Sequence, residues 1–585
     1  MSTDNNIRNK RKRKKTFLQN ARKYAKKGYY GRGSHMDADM YQYFVRILEV
    51  FKQGFENNDD KAVFVDNVFE QTENKEMECS CNQVGCRVIE MLLPFASDDI
   101  ILKYSEKFSA DIRPLSKDRF ASFVLQALVK VSCGKYFDNS VSHEQKEKFK
   151  SFAVKTSKFL LNNLEDYIWD TYGNHVIRTC LCSLLNIHLE DKKQKGLENV
   201  SSIIQNECDI PEEFIEIVKE YAQRLIIWPQ FGELCNSEQT SGFLQVLLKV
   251  LKKTDSKLLK KYLDKILEEN FLGVQSDIKS ENLPQGFMSV SLLMLLETAI
   301  QVAGKKSLNK YIKKLFSNNL LKLALMRSTN FAVQKILTSC INREQFDPLF
   351  DELADHMWEI IEKGHPAVIL ALAQGCKKLS TKQGSFIQGL MKALNCLEPE
   401  ENQNNFAICT SFLIRYDKKN PVPTDNLQKE KLNLQGTLIL QLMLEFNKPI
   451  KIINSLLSLT PNDLKGLFSN TMGSHIVDSY MKSVYVGEKS REKLVRKMQG
   501  TYQDLASSKY GSRSFEAIWN VANMKSKIHI MEELSHRDGS WANTEYGKII
   551  SSKINLVLFK RNKESWKNSL NKVATAEEVL ADVLK

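Results

Sequence analysis

The stretch KYGSRSFEAIW at residues 509–519 sets a hydroxyl (Ser512), a planar cation (Arg513) and a carboxylate (Glu516) at positions i, i+1 and i+4. On a helix these positions share one edge, while i+2 and i+3 turn inward. A hydroxyl–carboxylate pair can hydrogen-bond the edge of a flat heterocycle, and a guanidinium can lie on its face. The same order of small residue, polar, variable, two apolar, polar recurs along the chain. It appears as Cys86/Arg87/Glu90, Ser122/Phe123/Gln126, Asn174/His175/Arg178, Ser241/Gln245 around Gly242, Asn330/Phe331/Gln334, Thr437/Gln441 and Ser474/His475/Asp478. Glycine often precedes the first polar residue, as at Gly85, Gly173, Gly436, Gly473, Gly511 and Gly547.

Worn copies fit at Leu293, Ala367 and Lys548. With them, successive register marks fall 36 to 38 residues apart over much of the chain, and longer gaps read as units carrying insertions. A fixed period of this size predicts a solenoid of about eleven units, each burying its apolar face against its neighbours. Segments such as FIEIVKEYAQRLI and KLLKKYLDKILEENF place apolar residues at three- and four-residue steps, so the units are expected to be helical and the fold all-α. A merely solvated helix face would hold interchangeable Lys, Glu and Asp; here the slots hold Ser, Asn, Thr or Cys four residues before Gln or Glu.

The 585 residues carry a net charge of +14, and residues 1–32 hold 12 Lys/Arg against the single acid Asp4. That concentrates +11 in the first 32 residues, a run suited to nucleic acid or a nuclear import receptor. The expected layout is a basic disordered tail at 1–40, a repeat array with insertions at 41–560 and a basic, helical C-terminal tail at 561–585. No window approaches 18 consecutive apolar residues, so no membrane span is expected, and no apolar leader opens the chain. Twelve scattered cysteines suit reduced thiols in cytosol or nucleus. Cys79, Cys81 and Cys86 lack a paired Cys-x-x-Cys or His partner, so no metal site is expected. No phosphate loop, nucleophile elbow or His-Glu-x-x-His pattern appears, so neither cofactor nor catalysis is expected.

These motifs resemble Pumilio (PUF) repeats, whose second helix offers two edge-reading residues and one stacking residue per base. Asn330–Gln334 is similar to that family's uracil reader, Ser512–Glu516 to its guanine reader, and Ser122–Gln126 and Ser241–Gln245 to its adenine readers. Arg178 departs from the usual amide, and the units around Leu293, Ala367 and Lys548 have lost the edge pair. Unit number, long insertions, the basic tail, DTYGNHVIRTCL and YGKIISSKINLVLFKRNKESW together resemble the nucleolar Pumilio-like family called nucleolar protein nine. The resemblance spans roughly residues 40–570. It implies a C-shaped superhelix, monomeric, that binds precursor small-subunit (18S) rRNA in the nucleolus among pre-ribosomal particle proteins and influences its processing. Two other readings are an armadillo- or HEAT-type adaptor gripping peptide and a cytoplasmic Pumilio-type regulator of mRNA. The slots here form no Asn/Trp ladder of the first kind, and the basic tail and unit number disfavour the second.

Overall fold

The computed structural model describes residues 16–26, 32–187, 209–272, 283–420, 422, 426–536 and 539–570. Among them every named element is a helix; the sole strand-like feature is an isolated bridge between Gly33 and Asn82. The chain forms two compact units, residues 1–303 and 304–585.

In the first unit the motifs lie on α1 (Gln83–Leu92), α2 (Ala121–Phe137), α3 (Thr171–Leu184), α4 (Glu238–Thr254) and α5 (Val290–Val302), each packed on the next. In the second they lie on α6 (Asn330–Ser339), α7 (Pro366–Leu379), α8 (Leu434–Leu444), α9 (Ser474–Lys482), α10 (Gly511–Val521) and α11 (Glu545–Lys553), again packed in order. Short helices such as Ile112–Lys117, Leu164–Ile168, Pro461–Phe468 and Tyr502–Ser507 each pack against the motif helix that follows. The result is a stacked helical-repeat architecture.

Stacking is driven by the i+2 and i+3 side chains. Val88/Ile89, Val124/Leu125, Val176/Ile177, Phe243/Leu244, Ala332/Val333, Ile439/Leu440 and Ile476/Val477 are all sealed from solvent. Burying each such side chain contributes on the order of 1.5–3 kcal/mol. Behind the motif helices, outer helices are tied by buried tyrosines. Tyr221 donates to Ser157 O at 2.8 Å, Tyr262 to Ala222 O at 2.6 Å, and Tyr104 Oη lies 2.7 Å from Thr72 Oγ1.

The gap from 122 to 174 reflects helix lengthening: α2 has 17 residues and the outer helix His143–Asn162 has 20. The gap from 174 to 241 includes residues outside the described set, flanked by Glu212–Ile226 and Phe231–Asn236.

Three sequence expectations change. Residues 1–40 were expected as a disordered tail, yet Phe17–Lys26 is a helix packed on Ala38–Gln53, with Ala21 buried and Arg22 bonded to Glu49. The basic run at 8–15 lies outside the described residues. At the other end, Trp566 falls in the expected tail but is fully buried against Trp519 and Phe559 and donates to Ile554 O at 2.9 Å. In α7 the buried apolar pair is Val368/Ile369, so the mark is Pro366, not Ala367. The run PAVILALA has no polar residue to reveal that shift from sequence.

Candidate nucleic-acid interface

Every register mark sits within the first four residues of its helix. In several units a short polar side chain four residues earlier caps the exposed amides. Asn82 accepts from Val84 N and Gly85 N, Asp170 from Tyr172 N and Gly173 N, Asn470 from Met472 N and Gly473 N, and Thr544 from Gly547 N. Such caps satisfy amide donors that the first turn leaves unpaired. The glycine at i−1 answers a different need. A Cβ on Gly473 would lie 2.1 Å from Leu467 O, and one on Gly547 would lie 1.9 Å from Trp541 O. The preceding short helix therefore presses its backbone directly against the motif helix.

The three positions expected to share an exposed edge divide into two levels. The i residues are buried: Ser122 and Asn174 are 0% exposed, and even Ser512 reaches only 8%. Cys86, Ser241, Asn330, Thr437 and Ser474 are likewise buried. Their polar atoms turn to backbone. Cys86 Sγ donates to Phe120 O at 3.0 Å, Ser241 Oγ to Ser291 O at 2.8 Å, and Ser512 Oγ to Lys509 O at 3.0 Å. Ser122 Oγ is buried without a hydrogen-bond partner.

The i+1 side chains stand outward. Phe123 is 45% exposed and Phe331 55%; Arg87, His175 and Arg513 are exposed and His475 half-exposed. Met294 and Ile549, in units whose edge pair is lost, also project as apolar plates. Gly242 offers none.

The i+4 side chains lie between these levels, partly exposed and each held by a partner. Gln334 Nε2 donates to Asn330 Oδ1 at 2.8 Å, Gln441 Nε2 to Thr437 O at 3.0 Å, and Gln245 Nε2 to Ser241 Oγ at 3.4 Å. The buried Asn330 and Ser241 side chains thus act as anchors that aim Gln334 and Gln245. Among the acids, Glu90 pairs with Arg87 at 2.8 Å, Asp478 lies 3.8 Å from His475 Nδ1, and Glu516 pairs with Lys553 at 3.1 Å. Arg178 Nε donates to Asn174 Oδ1 at 2.7 Å and its Nη2 to Gln239 O at 2.8 Å. Partial desolvation by the surrounding helices, and then the neighbouring Arg178 charge, hold the His175 imidazole below its ordinary pKa, favouring a neutral stacking ring.

Two kinds of residue escape a sequence reading built on i, i+1 and i+4. One is the i−4 cap, visible in retrospect as a recurring Asx, Ser or Thr. The other is i+5 of the following helix: Thr179 donates to Gln126 Oε1 at 3.1 Å and Thr298 to Gln245 Oε1 at 3.5 Å. Lys553 occupies the same place beside Glu516.

Among the described residues no three His, Cys, Asp or Glu side chains converge as metal ligands. Burial pushes the Cys79, Cys86, Cys180 and Cys182 thiols up to about 12, so each is a protonated packing group.

A stack of helices that each seal an apolar pair, most of them presenting an outward side chain and a partnered polar group, defines a Pumilio-type repeat protein. The family described as NOP9-like PUF repeat domain matches residues 74–549, and the chain belongs to it. Nucleolar protein 9 of Homo sapiens is 24% identical, over 94% of this chain and 91% of its own length. Pumilio homolog 23 of Arabidopsis thaliana is 20% identical, over 91% and 73% respectively. A solved structure of APUM23-GGAAUUGACGG superposes with a TM-score of 0.70 at 19% identity, covering 92% of this chain and 99% of that one.

Proposed function

We propose that the chain is a non-catalytic RNA-binding factor of the nucleolus that acts in small-subunit ribosome assembly. It binds precursor 18S rRNA among pre-ribosomal particle proteins, as a monomer, and influences processing of that RNA. The observation that carries the RNA-binding reading is the outward i+1 series: Arg87, Phe123 and His175 in the first unit, and Phe331, His475 and Arg513 in the second. Planar cations and aromatic rings repeated at one register position suit successive bases, because every base has a face to stack. The proposed contact set is Cys86, Arg87, Glu90, Ser122, Phe123, Gln126, Asn174, His175, Arg178, Ser241, Gln245, Asn330, Phe331, Gln334, Thr437, Gln441, Ser474, His475, Asp478, Ser512, Arg513 and Glu516. Within it buried Asn174, Ser241 and Asn330 act by aiming Arg178, Gln245 and Gln334. Family membership and the nucleolar relatives in human and mouse support the compartment and the pathway.

With +11 in the first 32 residues and +3 over the rest, the tail supplies sequence-independent attraction, and affinity falls as salt rises. Crosslinking of the tagged protein to RNA in cells, followed by sequencing, tests the assignment. Reads concentrated in precursor 18S rRNA are expected; reads spread over messenger RNA, with a cytoplasmic signal in microscopy, would overturn it.

A further inference from the structure

Gly242 stands at i+1 of α4, where the neighbouring helices α2 and α3 carry Phe123 and His175. Its surroundings explain the missing side chain. A Cβ built on Gly242 would meet Arg178 Nη1 at 2.9 Å, Cζ at 3.0 Å and Nη2 at 3.0 Å. Nearly equal distances to three atoms of one planar group mean that the guanidinium lies face-on over Gly242, in the space an outward side chain would fill.

The hydrogen bonds show how it gets there. In two other units the buried i residue donates across the stack to the carbonyl at i−2 of the next helix: Cys86 to Phe120 O, and Ser241 to Ser291 O. In α3 the i residue, Asn174, instead turns inward to Ile168 O at 2.7 Å. Arg178 takes over the cross-stack bond, with Nη2 on Gln239 O, and Asn174 Oδ1 steadies its Nε. Its hydrogen bonds go to neutral oxygens, Asn174 Oδ1 and Gln239 O, and among the described residues no carboxylic acid acts on it. Its partners are neutral, so its charge remains available to a ligand.

We propose that Arg178 is the stacking residue of the fourth motif unit, supplied across the stack by the third, and that it does not read a base edge. This rests on the RNA-binding reading above and deepens it. Glycine at 242 is then the complement of the arginine: it clears the floor on which the guanidinium lies, leaving the opposite face for a base. Two features that sequence counts as separate losses, an unusual i+4 residue in one unit and an empty plate in the next, become one working position. An arginine is required, because a lysine ammonium has no plane to offer.

The test is fluorescence anisotropy with labelled GGAAUUGACGG, the RNA of the solved neighbour, scanned with an abasic nucleotide at each position. Arg178→Ala is expected to weaken binding roughly tenfold. That loss should vanish on the one RNA whose abasic position removes the stacked base. Adding Gly242→Arg to Arg178→Ala should restore affinity to within about threefold by supplying a guanidinium from α4 itself, whereas Arg178→Lys should remain weak. Failure of the second-site arginine to rescue, with thermal midpoints unchanged, would overturn the proposal. So would a loss in Arg178→Ala that depends on the identity of one base, which marks an edge reader. No binding of the unmodified chain to this RNA or to a random-sequence pool would instead remove the RNA-binding reading, and this inference with it.

Discussion

Thr179 Oγ1 lies 3.1 Å from Gln126 Oε1 and 3.0 Å from His175 O, sharing its one proton between them and joining the i+5 position of α3 to the i+4 position of α2. The bond engages one lone pair of the amide oxygen and restrains rotation of the Gln126 amide. Thr179→Val keeps the shape and removes the hydroxyl. Loss of one such bond costs about 0.5–1.5 kcal/mol of stability. With the amide free to turn, the ratio of Kd values for RNAs differing at the base facing Gln126 should fall toward one. Titration of those RNAs against both proteins checks it; an unchanged ratio would show that Thr179 does not aim Gln126.

Asn330 and Gln334 should separate stability from presentation. Asn330 is buried, donates to Arg327 O at 2.8 Å and accepts from Gln334. Asn330→Ala removes the hydrogen bonds to Arg327 O and from Gln334, about 0.5–1.5 kcal/mol each. Gln334→Ala, on the partly exposed level, should stay within about 0.5 kcal/mol. Urea unfolding of the two variants gives the comparison, and equal losses would contradict the anchor role.

The close helix contact at the motif glycines is testable in the same way. Gly473→Ala places a methyl group against the Leu467 carbonyl and should destabilise by about 1–3 kcal/mol. Gly134, inside α2 with nothing within 4 Å of a new Cβ, should tolerate alanine and gain up to about 1 kcal/mol from helix propensity. Opposite signs in thermal denaturation are expected.

His175 gives the pH dependence its sign. Its folded pKa is lowered by partial desolvation and by Arg178, so over the range between the folded and unfolded values the unfolded chain takes up a proton that the folded chain refuses. Stability should therefore fall as pH drops below the ordinary histidine value of about 6.5 and be retained above it. The fall should be shallower in His175→Gln; parallel pH profiles of the thermal midpoint would contradict the assignment.

The repeat was legible because its burial is written in residue type. Pairs such as Val176/Ile177 between polar flanks can face only inward, and they mark the register without any alignment. The all-α architecture and the outward plates at Phe123, Phe331 and Arg513 follow from that periodicity. What stayed hidden depends on neighbours distant in sequence. Nothing in SFVLQ shows that Ser122 is fully buried, and nothing in NHVIR shows that Arg178 reaches Gly242, 64 positions on. Thr179 and Thr298 read as ordinary helical residues until the adjacent glutamine is beside them. In α7 the unbroken apolar run erased the polar marks altogether.

Photocrosslinking of the purified chain to RNA, with mass-spectrometric mapping of the crosslinked residues, tests the central claim most directly. Adducts should fall on the outward plates, chiefly Phe123, His175, Phe331, His475 and Arg513. Adducts confined to the outer helices, such as His143–Asn162 or Glu488–Lys497, with the plates untouched, would contradict it.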